Sequence, residues 1–206
     1  MTRNVAVVLF ELAEELDFVG PWEVFSTVNY VEQGATNVFS VSEQGGTVRC
    51  ANGLRVAVDH SLATCPAPDI IVVPGGRMDA LVNSPAMVAW LKSASAKAEL
   101  TSSVCTGAFG LAAAGLLEGK TATTWFGSRA ILAKAHPAVT VVAERWVDQW
   151  PVITAQGVSA GIDMALYVVG RLWSPVTARK VQQLIEYFPA PPYQDVPMSE
   201  ALFAAG

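Results

Sequence analysis

The residue best placed for nucleophilic chemistry is Cys105, which lies in the segment SSVCTGAFGLAAAG. It follows a predicted buried strand, 100–104, and directly precedes a predicted helix, 106–114. A side chain on such a tight turn is held rigidly over the edge of the sheet. The start of the helix offers free backbone N–H groups and partial positive charge, and both favour the thiolate. The sequence therefore predicts a nucleophile at Cys105, although a free cysteine also often serves as a small buried hydrophobe.

A carboxyl group is predicted at the same edge of the sheet. Asp17 lies at the end of the polar turn ELAEELD. By itself it is typical of an acid that caps a helix or lies in its first turn, where the dipole favours it. Function gathers at the carboxyl ends of the strands in a parallel sheet, and both Asp17 and Cys105 follow predicted strands. A carboxyl beside a thiol can hydrogen-bond to it and shuttle a proton. We therefore expect Asp17 to act with Cys105 in catalysis.

Two glycines, Gly75 and Gly76, end a further predicted strand in the segment VVPGG. They are typical of a turn whatever else they do. The N–H of Gly76, together with the N–H of Thr106, is predicted to face negative charge that develops on a substrate, because backbone donors at such turns commonly stabilise oxyanions. Residues 155–159 follow another predicted strand at the same edge.

The sequence does not have the spacing that metal or dinucleotide sites require. His60 and His136 are the two histidines, and they form neither an HxxxH nor an HExxH motif. Gly157 and Gly161 lack the GxGxxG pattern of a dinucleotide site. We therefore predict no metal and no organic cofactor.

Composition excludes several classes of protein. The chain has 206 residues, a net charge of −5, 52% hydrophobic and 15% charged residues, and a mean hydropathy of +0.38. A disordered chain would be richer in charge, and an acidic balance argues against nucleic acid as a partner. Three cysteines without a CxxC pair suit a reducing cytoplasm, and we expect Cys50 and Cys65 to be structural. Neither the N-terminal segment nor residues 152–169 are typical of a signal peptide or a membrane span, so the prediction is a cytoplasmic protein.

Short β-branched runs alternate with amphipathic, alanine-rich stretches. This alternation predicts an α/β fold, with a mostly parallel sheet covered by helices on both faces. A hairpin is expected at 47–58, with its turn at Asn52-Gly53. The chain is predicted to form a single domain over 1–188, followed by a proline-rich tail, 189–206. Predicted strands are 4–10, 38–42, 69–73, 100–104, 120–124, 139–143 and 152–154; predicted helices are 17–31, 84–97, 106–114, 159–172, 177–187 and one between 124 and 139.

Four motifs resemble the ThiJ/PfpI superfamily, and in particular the branch shared by isocyanide hydratases and the sensor domains of AraC-type regulators. They are DFVGPWEVF (17–25), VVPGG (72–76), SVCTGAFGLAAAGLLEGKTATTW (103–125) and TAQGVSAGIDMAL (154–166). The resemblance implies a flavodoxin-like sandwich, a nucleophile elbow at Cys105 and a homodimer. It also implies that Asp17 contacts the thiol and that Thr106 belongs to the site.

The activity that this resemblance implies is that of an isocyanide hydratase, a lyase that adds water to an isocyanide through a cysteine thioimidate. Such an enzyme takes a small-molecule substrate and needs no cofactor. Protease-like members carry a histidine after the nucleophile where this chain has Thr106, and a histidine that many relatives carry is missing from the segment 122–126. Two alternatives remain: a ligand-binding or redox-sensing module, in which Cys105 is oxidised or lines a ligand site, and another cysteine-dependent enzyme of the superfamily.

Overall fold

This computed structural model describes residues 2–192 of the chain, which contain both strands and helices. The strands are β1 (Arg3–Val8), β2 (Thr36–Ser42), β3 (Gly46–Arg49), β4 (Arg55–Val58), β5 (His60–Ser61), β6 (Ile70–Val73), β7 (Leu100–Val104), β8 (Thr121–Ala122), β9 (Thr140–Val141), β10 (Trp146–Gln149) and β11 (Val152–Ala155). The α-helices are α1 (Glu15–Val31), α2 (Asp79–Val82), α3 (Pro85–Ser95), α4 (Gly107–Ala113), α5 (Arg129–Ala135), α6 (Ala160–Leu172) and α7 (Pro175–Leu184).

A seven-stranded sheet in the order β10-β11-β7-β6-β1-β2-β5 forms the centre of the fold. Neighbouring strands in it are parallel, except for the antiparallel pair β10 and β11. Counted along the chain, the five long parallel strands follow the flavodoxin-like order 2-1-3-4-5. The predicted α/β fold with a mostly parallel, flavodoxin-like sheet is confirmed.

Helices cover both faces of the sheet, as predicted. Helices α1, α6 and α7 pack against one another, and their apolar side chains join those of Val5 and Val7 on one face. Helices α2, α3 and α4 pack against one another, and their side chains join those of Ala6 and Val8 on the other face. Successive residues of β1 therefore point into different cores, which is why this strand is continuously apolar rather than alternating.

The structure differs from the sequence-based expectations mainly at the edges. The segments 120–124 and 139–143 contribute only the two-residue pair β8 and β9, which lies outside the main sheet. Strand β10 was missed because it carries Asp148 and Gln149. The Asp148 carboxylate accepts a hydrogen bond from the Tyr167 hydroxyl at 2.6 Å and pairs with Arg171, both on α6. Side-chain contacts to α6 therefore hold this strand in place. Its sequence lacks the apolar alternation that would predict a strand.

Other predicted features are present. The hairpin 47–58 is formed by β3 and β4, with Gly53 at a φ of 100° in its turn. The predicted division into a domain over 1–188 and a tail over 189–206 stays a prediction, because residues 193–206 lie outside the described residues. Within 2–192, no helix combines the length and apolar character needed to cross a membrane.

Helix α4 begins almost in contact with the neighbouring strand β6. A Cβ atom on Gly107 would lie 2.2 Å from the carbonyl oxygen of Val73, so this position has no room for any side chain. By contrast, Gly115 ends the helix with a φ of 76° and would bring a Cβ into open space. Close packing at Gly107 therefore sets the distance between β6 and the turn that carries Cys105.

We expect Gly107→Ala to lower the free energy of unfolding by about 3 kcal/mol, because backbone atoms must move apart to admit the methyl group. Gly115→Ala is the matched control and should cost about 1 kcal/mol, from the left-handed backbone alone. Urea denaturation of both variants checks the difference. Equal losses would contradict the packing account.

Candidate active site

Cys105 occupies the turn between β7 and α4 in a strained backbone conformation. Its φ is 57°, in the left-handed region that residues with a side chain rarely adopt. The Cys105 N–H donates to the carbonyl oxygens of Ala155, at 3.2 Å, and Gln156, at 2.9 Å. Its own carbonyl oxygen accepts a hydrogen bond from the Thr124 hydroxyl at 2.7 Å. These hydrogen bonds hold the turn in place. Cys105 is 7% exposed there.

Asp17, in the first turn of α1, lies beside this thiol and is fully buried. Its Oδ2 accepts a hydrogen bond from the Gly75 N–H at 2.8 Å. Its Oδ1 has no partner at full hydrogen-bond geometry among the described residues. The Cys105 thiol and the Val158 N–H nevertheless lie close enough to the carboxylate to lower its pKa. The structure thus brings together the acid and the thiol that the sequence singled out.

Gly75 and Gly76 hold the polar side chains of the site rather than facing an open space. A Cβ on Gly75 would lie within 2.7 Å of Asp17 Oδ2 and of both the N and Oγ1 of Thr106. The Gly76 N–H donates to Thr106 Oγ1 at 2.9 Å, and the Thr106 hydroxyl donates back to the Gly76 carbonyl oxygen at 3.1 Å. The Gly76 N–H therefore has an acceptor in this structure, and the expectation that it faces charge on a substrate stays a prediction. Both glycines lie against the groups that position Asp17 and Thr106.

Val158 is a functional position that sequence reasoning did not single out. It lies between β11 and α6 with a φ of 50°, and its N–H lowers the pKa of both Asp17 and Cys105. The segment 155–159 was expected at this edge because it follows a strand. A valine with left-handed backbone carries no signal of its own in the sequence, so only the segment could be predicted.

Burial dominates the electrostatics of the pair. It raises the pKa of Asp17 to about 7, with a further contribution from the charge of Glu14 and against the Gly75 hydrogen bond. Burial and then the Asp17 charge raise the pKa of the Cys105 thiol to about 12, although the Thr106 N–H, the Val158 N–H and the Thr106 hydroxyl lower it. The expectation that the helix start favours a thiolate is therefore wrong in its net effect. Above about pH 7 the pair consists of a carboxylate and a protonated thiol.

A hairpin turn is bound to the loop that leads into α1. The Glu15 carboxylate accepts hydrogen bonds from the N–H and the side-chain amide of Asn52, both at 2.8 Å, and the Ala51 N–H donates to the Ala13 carbonyl oxygen at 2.9 Å. The Glu14 N–H donates to the Gly75 carbonyl oxygen at 2.9 Å. The backbone around Asp17 is thus held from two sides.

The other cysteines and His60 are buried or partly buried in the fold. Burial raises the pKa of Cys65 to about 11, and burial together with the charges of Glu15, Glu11 and Glu14 raises that of Cys50 to about 11. The ring of His60 packs edge-on against Phe39, with 5.2 Å between centroids. In the described part of the chain, His, Cys, Asp and Glu side chains form no group suited to a metal ion.

Comparison with known proteins places the fold and the motifs in one family. The DJ-1/PfpI family pattern matches residues 3–171. The isonitrile hydratase of Pseudomonas putida is 34% identical over 94% of this chain and 82% of its own length. The HTH-type transcriptional regulator CdhR of Pseudomonas aeruginosa is 27% identical over 82% of this chain, which spans only 50% of that regulator. The crystal structure of a ThiJ/PfpI family protein from Pseudomonas syringae superposes with a TM-score of 0.89 at 27% identity, covering 100% of this chain and 84% of that one.

The raised pKa of Asp17 makes a prediction about stability. The folded protein holds a proton on Asp17 up to about pH 7, whereas the unfolded chain releases it near pH 4. The free energy of unfolding therefore falls as the pH rises through this window, because the unfolded chain releases a proton that the folded protein retains.

Asp17→Asn has no such charge, so its stability relative to the wild type should increase by on the order of 2–4 kcal/mol between pH 4 and pH 8. Chemical denaturation at several pH values measures this difference. A difference that does not vary with pH would show that Asp17 ionises normally.

Proposed function

The chain belongs to the DJ-1/PfpI family, and from this premise we propose that it is an isocyanide (isonitrile) hydratase. The reaction is the addition of water to R–N≡C, which gives the formamide R–NH–CHO. The observation that carries the proposal is the buried carboxyl of Asp17 beside the thiol of Cys105, held there by the Gly75 N–H at 2.8 Å. The 34% identity to an isonitrile hydratase supports the same activity.

In the first step, Cys105 Sγ bonds to the terminal carbon of the isocyanide. The thiol proton passes to the Asp17 carboxylate as the carbon–sulfur bond forms, because a thiol with a pKa of about 12 does not give up its proton to a carboxylate with a pKa of about 7 before that bond forms. Asp17 then delivers that proton to the same carbon. The product of this step is a neutral thioimidate, R–N=CH–S–Cys105.

In the second step, the Asp17 carboxylate takes a proton from water as the oxygen bonds to the thioimidate carbon. Asp17 passes this proton to the nitrogen, which gives the tetrahedral adduct R–NH–CH(OH)–S–Cys105. As the carbon–sulfur bond breaks, the remaining hydroxyl proton passes by way of Asp17 to the sulfur, which releases the formamide and restores the thiol. The Thr106 and Val158 N–H groups, which lower the pKa of Cys105, are placed to stabilise the leaving sulfur. No metal or organic cofactor takes part in these steps.

The same relatives suggest the kind of substrate, the oligomeric state and the location of the enzyme. A small neutral substrate suits a site whose reactive sulfur is only 7% exposed. We propose that the protein acts as a homodimer in the cytoplasm and binds neither nucleic acid nor membranes, which agrees with its net charge of −5.

A redox-sensing or ligand-binding module is the second candidate, and the similarity to a transcriptional regulator favours it. Peroxide reacts with thiolates, so a pKa of about 12 at Cys105 argues for an enzyme that ionises its thiol only during attack. Mass spectrometry after mild peroxide treatment separates the candidates: a selectively formed Cys105 sulfinate, without turnover of any isocyanide, supports the sensor. Another cysteine-dependent reaction of the family is a third candidate.

Formamide production from a simple aryl or alkyl isocyanide tests the proposal. We expect turnover by the wild type and no detectable turnover by Cys105→Ala, because the variant cannot form the thioimidate. Cys65→Ala is the control, since Cys65 lies on a loop outside the site, and it should retain the wild-type rate. Failure of the wild type, or equal rates in Cys105→Ala, would refute hydration by this cysteine.

The pH dependence of kcat/KM tests the role of Asp17. The rate should rise to a plateau with an apparent pKa of about 7, as Asp17 becomes a carboxylate. Asp17→Asn should lose at least about 10²-fold in kcat/KM and the acid limb with it.

Glu14→Gln should move the same limb to lower pH, because the charge of Glu14 raises the pKa of Asp17. The Gln oxygen can still accept the hydrogen bond that Glu14 Oε1 receives from Asn52 at 3.1 Å, so the hairpin contact is retained. An unmoved limb in this variant, with normal folding, would contradict the electrostatic coupling.

A further inference from the structure

A tryptophan next in sequence to a residue that hydrogen-bonds to Cys105 has no part in the proposed steps. Trp125 directly follows Thr124, whose hydroxyl donates to the Cys105 carbonyl oxygen at 2.7 Å. Thr123 and Thr124 are fully buried, whereas the next residue, Trp125, is 37% exposed. The chain therefore emerges from the core next to the elbow, and the first side chain that it presents there is a large aromatic one.

Two glycines hold the indole of Trp125 in a defined position. A Cβ on Gly157 would lie 2.5 Å from Trp125 Cδ1, and a Cβ on Gly127 would lie 2.5 Å from Trp125 Cζ3. The ring of Phe126 lies 4.8 Å away between centroids. Both ends of the indole therefore lie against the backbone of a glycine. A side chain that is already fixed in position loses little conformational entropy when it binds a ligand.

The place of these contacts links the indole to the reactive atoms. Gly157 immediately precedes Val158, whose N–H acts on both Asp17 and Cys105. The backbone on which the indole rests is therefore the same segment that borders the thiol. A substituent on a carbon bonded to Cys105 Sγ that extends along this segment reaches the exposed indole.

We propose that Trp125 determines substrate specificity, by forming an aromatic wall that favours isocyanides with planar aromatic substituents over saturated ones of similar size. Aromatic rings gain from offset or edge-to-face contact beyond what their buried area contributes, and this gain corresponds to roughly 3- to 10-fold in affinity. The choice of an isocyanide as the substrate rests on the proposed function. The aromatic preference does not rest on it, since binding alone can also measure that preference.

The kinetic test compares phenyl isocyanide with cyclohexyl isocyanide. The wild type should favour the phenyl compound in kcat/KM, and Trp125→Leu should lower that preference by roughly 3- to 10-fold. Trp150→Leu is the matched control, because Trp150 is 38% exposed but precedes the amino end of β11, at the opposite edge of the sheet. The control should keep the wild-type ratio.

The binding test uses Cys105→Ala with N-phenylformamide and N-cyclohexylformamide in calorimetric titrations. The phenyl compound should bind more tightly, and adding Trp125→Leu should remove most of the difference. If the wild type hydrates neither isocyanide while the binding preference still depends on Trp125, the hydratase proposal fails and the aromatic wall stands. A parent protein without aromatic preference, a preference that survives Trp125→Leu, or an equal loss in Trp150→Leu overturns the wall.

Discussion

A carboxyl group shut away from water beside a thiol is the constraint on which the rest of the site depends. Burial alone would keep Asp17 protonated, and the Gly75 N–H offsets only part of that cost, so the pKa of Asp17 comes to about 7. Near this pH the carboxyl can both accept and return a proton, which is what the two-step reaction asks of it. Gly75 is essential to this balance because any side chain there would occupy the space of Asp17 Oδ2 and Thr106.

The strained backbone positions that hold Asp17 and Cys105 together lie at one edge of the sheet. Of the residues with side chains and positive φ in the described chain, Leu12, Cys105 and Val158 all follow the carboxyl ends of sheet strands, and Glu186 alone lies elsewhere. Each costs on the order of 1 kcal/mol or more. The Cys105 N–H and carbonyl oxygen are hydrogen-bonded to neighbouring loops. These hydrogen bonds, which a relaxed backbone would lose, offset the conformational strain at Cys105. Relatives whose names indicate a hydratase and a transcriptional regulator each resemble this chain over most of its length, so the fold alone does not determine the activity.

Much of this arrangement follows from local patterns, and what does not is set by tertiary contacts. The apolar runs of β1 and β6 are visible in the sequence because central parallel strands are buried on both faces. The strand-to-helix turn at Cys105 is visible as well. Strand β10 could not be predicted because Asp148 makes it polar. The partners of Asp148, Tyr167 and Arg171, lie on a later helix. The direction of the Cys105 pKa could not be predicted either: the helix start is local and visible, whereas burial and the nearness of Asp17 arise only on folding.

The central claim is that the buried carboxyl of Asp17 changes its charge near neutral pH. Infrared difference spectra between the wild type and Asp17→Asn, recorded from pH 5 to pH 9, observe this group directly through the carbonyl stretch of its protonated form. The account predicts that this band is present at pH 5 and disappears with a midpoint of about 7. A carboxyl already ionised at pH 5 would contradict it, since Asp17 would then be an ordinary acid that only neighbours the thiol.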